Sequence, residues 1–214
     1  MYAIAPLDFL INICSMDVFL HICCGPCALY PLEVFKERGI RVTGFFYNPN
    51  IHPYMEFERR VKALEEVVAL NRVDIVWATP AYGLRKWLSL IGDKSSYETR
   101  CPICYEMRMD ETAKEAKKRG FDLFSTTLLY SKYQRHELIR KICEAKARKY
   151  GIDFYYEDFR VGWKTGIEKA VDLGIYRQPY CGCIFSEQER YLKRLKRLES
   201  NMKEKEVQGS ESHA

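Results

Sequence analysis

The chain reads as an α/β protein, a parallel sheet flanked by helices. Short apolar runs alternate with stretches of helical periodicity along most of its 214 residues. The intervening helical stretches are long enough to serve as crossovers between parallel strands. A hydrophobic fraction of 47% with 14% aromatics is that of a folded globule with its own core.

The elements follow in order. Asp17-Val-Phe-Leu-His-Ile-Cys23 is an apolar run of strand type, and Pro31 to Arg38 reads as a helix ended by Gly39. Ile40 to Tyr47 is β-branched and aromatic, closed by the turn Asn48-Pro49-Asn50. Pro53 to Val73 places Phe57, Val61, Leu64, Val67 and Val68 at helical spacing, and Asp74 to Ala78 returns as a strand. Asp110 to Arg119 is helical, Phe121 to Leu128 a strand, Gln134 to Tyr150 a helix and Ile152 to Phe159 a last strand.

One catalytic domain is expected over 17–200, preceded by an extension at 1–16 and followed by a flexible polar tail at 201–214. Met16 is a second candidate initiator, which the intact mass of natively produced protein would test. The apolar N-terminal stretch is interrupted by Asp8 and lacks a basic leader, so it does not read as a secretory signal. No apolar run approaches a bilayer span, which excludes a membrane helix. The expected compartment is the cytoplasm, where clustered cysteines mean metal or catalysis rather than structural disulfides. A net charge of +5 permits a polyanion partner without requiring one.

Seven of the nine cysteines form three clusters: Cys23-Cys24-Gly25-Pro26-Cys27, Cys101-Pro102-Ile103-Cys104 and Cys181-Gly182-Cys183. Cys101 and Cys104 begin a helix on one face, where the N-terminus favours the metal-binding thiolate. Cys24 to Cys27 contain a C-G-P-C tetrapeptide between strand and helix, a thioredoxin-like feature, although Cys23 stands where thioredoxin has tryptophan. Cys181 and Cys183 are too close for an unstrained disulfide, which suits electron relay, or both could hold one metal ion. Two C-x-x-C pairs would also satisfy tetrahedral zinc. Three surplus thiols weigh against plain zinc and plain thioredoxin chemistry. Cys143 reads as core and Cys14 as inert.

With every cluster placed, the chain resembles the QueH-type epoxyqueuosine reductases from about Phe19 to Ser186. The resemblance rests on His21-Ile-Cys-Cys-Gly-Pro-Cys27, Tyr47-Asn-Pro-Asn-Ile-His52 with Glu56 and Arg59, and Arg100-Cys-Pro-Ile-Cys104. It continues through Thr126-Thr-Leu-Leu-Tyr-Ser131, Glu157-Asp-Phe159 and Tyr176-Arg-Gln-Pro-Tyr-Cys-Gly-Cys183. It implies reduction of epoxyqueuosine to queuosine at the tRNA wobble position, a [4Fe–4S] cluster, and the fold shared by universal stress proteins and PP-loop ATPases. Carried over, Cys23, Cys24, Cys101 and Cys104 become cluster ligands. Cys181 and Cys183 become a redox pair, or ligands of a mononuclear iron with Asp158 as an oxygen ligand. Cys27 matches the motif without a fixed role and is a further candidate ligand of that second iron.

Removing an epoxide oxygen takes two electrons and two protons, which gives a second device beside the cluster a purpose. The cluster would take electrons from a ferredoxin- or flavodoxin-like donor, and the exposed iron or second metal would polarise the epoxide oxygen. His52 and Glu56 are candidates for an acid or for substrate contacts, with a turn or capping role for His52 as the alternative. Asp158 as a loop cap is the alternative to its ligand role. No phosphate loop and no G-x-G-x-x-G occurs, so neither ATP nor a flavin or nicotinamide is supported. The tRNA would present its anticodon loop, whose unstacked bases are accessible. Arg190, Lys193, Arg194, Lys196 and Arg197 form a basic helical stretch suited to phosphates, or a solvated face. The rival functions are a zinc-stabilised RNA-binding module and a thioredoxin-like oxidoreductase.

Overall fold

The computed structural model describes residues 16–211; Cys14 and the rest of the N-terminal extension lie outside them. Five parallel strands run β1 (Asp17–His21), β2 (Arg41–Phe46), β3 (Asp74–Trp77), β4 (Leu123–Thr126) and β5 (Asp153–Phe154). Their order in the sheet is β3-β2-β1-β4-β5. The α/β fold with a helix-flanked parallel sheet is therefore as the alternating pattern predicts. Chain order reverses between β1 and β4, and the crevice beyond their carboxyl ends is where such sheets bind ligands. The register fixes that crevice, because His21 at the end of β1 lies between Phe45 and Thr126.

The helices are α1 (Gly25–Glu37), α2 (Tyr54–Asn71), α3 (Leu84–Ile91), α4 (Tyr97–Lys118), α5 (His136–Tyr150), α6 (Trp163–Asp172) and α7 (Ile184–Glu211). α1 packs on α2 and α6, while α4 packs on α5. Central β1 is buried from Val18 to His21, as a strand covered on both faces must be. Phe19 stacks on Phe45 at 5.1 Å and meets Phe121 at 5.0 Å beneath the α4 side.

Several boundaries differ from the sequence reading. α1 begins at Gly25 instead of Pro31, because Pro26 occupies its first turn, where a missing N–H costs nothing. Pro31 sits inside the helix and is buried against the core with Ala28, Leu32 and Phe35. α4 begins at Tyr97 instead of Asp110, so the second cysteine pair lies in its first two turns with Pro102 between the sulfurs. The Glu98 carbonyl that Pro102 leaves without a helical donor accepts from Arg135 Nη1 at 3.4 Å. β5 is only two residues long. After β4 the chain tightens into a 3-10 turn at Thr127–Tyr130, capped by the Thr126 hydroxyl, which accepts from the Leu128 N–H. α3 and α6 are short helices that the pattern did not single out. α7 continues unbroken past residue 200 to Glu211. Among the described residues no helix is long and apolar enough to cross a membrane.

Candidate active site

The first cluster is placed by the end of β1. Ile22 N–H donates to Phe45 C=O, and Cys23 N–H donates to Thr127 Oγ1 at 3.1 Å, so the chain turns off the sheet directly into α1. Cys24 is the helix N-cap, in extended conformation. The Sγ atoms of Cys23, Cys24 and Cys27 lie within 4.8 Å of one another. Gly25 makes this possible. A Cβ there would fall 2.4 Å from the Ala63 carbonyl oxygen, so only glycine lets the start of α1 close onto α2.

The trio is electrostatically uneven. The Cys24 and Cys27 thiols lower the Cys23 pKa, and the Thr127 hydroxyl, 3.4 Å from its sulfur, adds to them against the cost of burial. The helix N-terminus favours the same outcome. Burial pushes Cys24 up, and the neighbouring sulfurs push Cys27 up. The trio is thus biased towards a thiolate at Cys23, a donor set ready to lose protons to a cation.

Among the described residues only the first trio forms a mutually close ligand group, so neither Cys101 nor Cys104 stands within 4.8 Å of both Cys23 and Cys24. The second and third clusters meet each other instead. Cys183 and Cys104 are buried together with Trp87 and Ile91 in a small apolar nest under α3. Burial raises Cys101 and Cys104 to about 12, the charges of Cys181 and Cys183 adding to it and Arg108 opposing it. The Cys181–Cys183 loop is held by α2 and the segment before it. Arg60 donates Nη1 to Cys181 C=O at 2.8 Å and Nη2 to Tyr180 C=O at 2.9 Å, while its Nε pairs with Glu56 at 2.7 Å. Glu56 also accepts from the Tyr176 hydroxyl. His52 N–H donates to Gly182 C=O, and the Tyr180 hydroxyl donates to His52 C=O. Gly182 adopts φ +144°, a conformation that disfavours any side chain, with Arg60, Ile51 and Asn50 packed around it. All eight described cysteines are free thiols.

Polar groups tie the clusters together. Arg108 is 2% exposed and donates Nε to Cys104 C=O at 3.3 Å. Its Nη1 reaches Asn48 Oδ1 only at 3.5 Å, and its Nη2 has no partner among the described residues. The thiols that act on its charge are Cys104, Cys181 and Cys23, one from each cluster. Gln178 Nε2 donates to Cys24 Sγ at 2.8 Å, and Gln134 Nε2 to Cys181 Sγ at 3.3 Å. A buried guanidinium with a free donor among thiols fits an anionic occupant, such as a thiolate-held metal cluster, better than a neutral apolar one.

The remaining sequence candidates fall elsewhere. Glu56 is committed to Arg60 and Tyr176, so it fixes a loop rather than offering a free acid. His52 is 1% exposed, neither ring nitrogen has a hydrogen-bond partner among the described residues, and burial lowers its pKa to about 4. Its ring meets Tyr82 edge-on at 5.7 Å. Asp158 accepts from Arg160 N–H and pairs with the Arg160 guanidinium at 2.6 Å, capping a 3-10 turn, and it stands outside the close Cys23–Cys24–Cys27 ligand group. Cys143 is fully buried in the main core. The sequence reading missed Arg60, Arg108, Gln134 and Gln178. Two carried a signal: Arg60 stands four residues after Glu56, and Gln178 lies inside the motif from Tyr176 to Cys183.

A cavity of about 860 Å³ lies apart from the thiols, none of which lines it, with Tyr47, Trp77 and Tyr82 on its walls and both cations (Arg85, Lys86, Lys118) and acids (Glu111, Glu115) around it. Lys86 Nζ donates to the Tyr47 hydroxyl at 2.6 Å.

Residues 18–189 match the model of the family described as epoxyqueuosine reductase QueH. An epoxyqueuosine reductase QueH of Dehalococcoides mccartyi is 34% identical over 174 residues, covering 81% of this chain and 94% of the relative. One of Thermotoga maritima is 37% identical over 179 residues, 81% of this chain and 91% of the relative. One of Staphylococcus aureus is 32% identical over 184 residues, 81% and 76%. Among solved structures, one described as a predicted subunit of tRNA methyltransferase from Methanocaldococcus jannaschii shares 12% identity at a TM-score of 0.47, over 72% of this chain and 76% of its own.

Proposed function

The chain belongs to the epoxyqueuosine reductase QueH family, and on that premise we propose that its three cysteine clusters form one redox basin that reduces epoxyqueuosine in tRNA to queuosine. The observation that carries this reading is the close trio Cys23, Cys24 and Cys27 at the switch point of the sheet. Gln178 from the Tyr176–Cys183 motif donates to Cys24, and the buried Arg108 carries charge between this trio and the Cys104–Cys183 nest. In the reaction both carbon–oxygen bonds of the epoxide break and a carbon–carbon double bond forms. Two electrons and two protons enter, and the oxygen leaves as water. Cys23, Cys24, Cys101 and Cys104 are the proposed holders of a [4Fe–4S] cluster, and the close packing of Cys27 on Cys23 and Cys24 makes it a further candidate. Such a cluster would supply electrons taken from a ferredoxin- or flavodoxin-like donor, and an iron beside it a Lewis acid.

The protein's own groups do the rest. Arg108 holds a positive charge and a free N–H where negative charge gathers, without solvent to weaken it. Gln178 and Gln134 orient sulfurs of different clusters. The Glu56–Arg60–Tyr176 network keeps the Cys181–Cys183 dithiol facing the trio, as a relay or as ligands of a second iron. The pairing of Asp158 with Arg160 favours a capping role for it over that of a ligand. The cavity walled by Tyr47, Trp77 and Tyr82, which carries Glu111 and Glu115 as well as cations, suits a neighbouring anticodon-loop nucleotide whose base would stack on the aromatics and whose phosphate would meet Lys86 or Arg85.

Anaerobic purification with iron, sulfide and zinc assays tests the cofactor. The expected protein is brown, with stoichiometric iron and sulfide that Cys23→Ala, Cys24→Ala, Cys101→Ala and Cys104→Ala abolish and Asp158→Asn spares. Zinc without iron would refute the cluster. Full turnover by Cys181→Ala and Cys183→Ala would refute the relay.

A further inference from the structure

Helix α7 leaves the body immediately after the third cysteine cluster, and from Gln188 to Glu204 every residue is exposed. Its 28 residues extend about 42 Å, far beyond the helix's last contact with the core. A helix standing alone in water is marginal and has no use for an apolar stripe. This one has a continuous stripe. Ile184, Gln188, Tyr191, Leu195, Leu198 and Met202 recur at alternating steps of four and three. Tyr191 is 37% exposed, Leu195 41%, Leu198 56% and Met202 55%. That repeat averages three and a half residues, the period of a coiled-coil seam. Most of the seam lies beyond residue 189, where the match to the family ends, so it is not part of the shared catalytic unit.

We propose that α7 pairs with α7 of a second copy of this chain, in parallel and in register, making the protein a dimer. Ile184, Tyr191 and Leu198 occupy the d positions of the repeat, and Gln188, Leu195 and Met202 the a positions. The charges on the flanks select the partner. Arg194 falls at g and Glu199 at e, so in a parallel pair each Arg194 faces Glu199 of the second copy, twice by symmetry. Neither side chain is in an ion pair of its own chain among the described residues. Gln188 is the polar a residue that fixes register. Arg190, Lys193, Lys196 and Arg197 fall at b, c and f, outside the seam, so pairing leaves them open to solvent or to phosphate.

Sedimentation velocity of the full holoprotein from about 1 to about 100 µM tests the pairing. The expected species has twice the 25.2 kDa mass of one chain. Leu195→Glu with Leu198→Glu, both at exposed positions, is expected to give a monomer with unchanged circular dichroism and iron content. Arg194→Glu is expected to weaken dimerisation about tenfold, and Arg194→Glu with Glu199→Arg to restore it. A monomer at the top concentration overturns the proposal, as does a dimer that survives the double leucine variant. A single charge reversal without effect overturns the parallel register. A monomeric wild type whose tRNA affinity falls in the leucine variant assigns the seam to RNA and likewise overturns self-pairing.

Discussion

Replacing Arg60 by methionine would release the third cysteine cluster without touching a sulfur. Arg60 is 2% exposed, and its guanidinium satisfies Glu56, Cys181 C=O and Tyr180 C=O at once. Methionine keeps most of the apolar volume, so the loss is electrostatic. Glu56, itself 5% exposed, would keep only the Tyr176 hydroxyl. Removing one partner of a buried ion pair costs about 3–5 kcal/mol, because the other charge stays behind in low dielectric. The two carbonyls recover water only if the Tyr180–Cys183 loop peels away from α2, so about 4 kcal/mol is expected. With a urea m-value of roughly 2 kcal/mol per molar, the unfolding midpoint of metal-free protein falls by about 2 M. Cys183, now buried, should also react far faster with a thiol reagent below the transition. Adding Glu56→Leu removes the stranded charge, so the double variant should be more stable than Arg60→Met alone. If the two substitutions add within about 0.5 kcal/mol, the network is not what holds the loop.

Three further outcomes follow from the geometry. Gly25→Ala forces α1 and α2 apart by roughly 1 Å, at about 1–3 kcal/mol; iron content after reconstitution should fall although every thiol remains, and normal loading would refute the tight fit at Ala63. His21 is buried, with Nε2–H donating to Tyr47 C=O and Nδ1 accepting from Thr126, and burial lowers its pKa to about 3 from 6.5. Its depressed value means the unfolded chain takes up a proton that the folded one refuses, so stability is full above pH 6.5 and is lost as pH falls towards 3. About 2 kcal/mol should go by pH 5, and a slope unaltered in His21→Gln would refute this. In metal-free protein Cys23, half-buried and thiolate-prone, should be the first thiol alkylated by iodoacetamide near neutral pH, as peptide mapping would show. Earlier modification of Cys101 would contradict that order.

Much of the fold is legible in the sequence because periodicity is local. The runs at Asp17 and Ile40 and the helical spacing from Phe57 to Val68 each announce their element. The short helix α3 hid because one buried stripe, Trp87 and Ile91, is too brief to stand out. α1 and α4 start earlier than expected because Pro26 sits in a first turn and because tertiary contacts hold helices intact past Pro31 and Pro102.

The candidate site divides in the same way. Sequence by itself determined which thiols matter: three tight clusters inside long ordered motifs specify the family and its redox chemistry. It also put Cys101 and Cys104 on one helical face, since a spacing of three is a local matter. Which sulfurs stand together only the tertiary structure decided. Cys27 joins Cys23 and Cys24 because Gly25 lets α1 close on Ala63. Cys183 joins Cys104 because Arg60, some 120 residues earlier in the chain, grips the loop that carries it. Arg108 bonds the Cys104 carbonyl and feels the charge of a thiol from each cluster because parallel crossovers bring distant segments to one sheet end. Such meetings depend on sheet order and helix packing, which no residue spacing encodes.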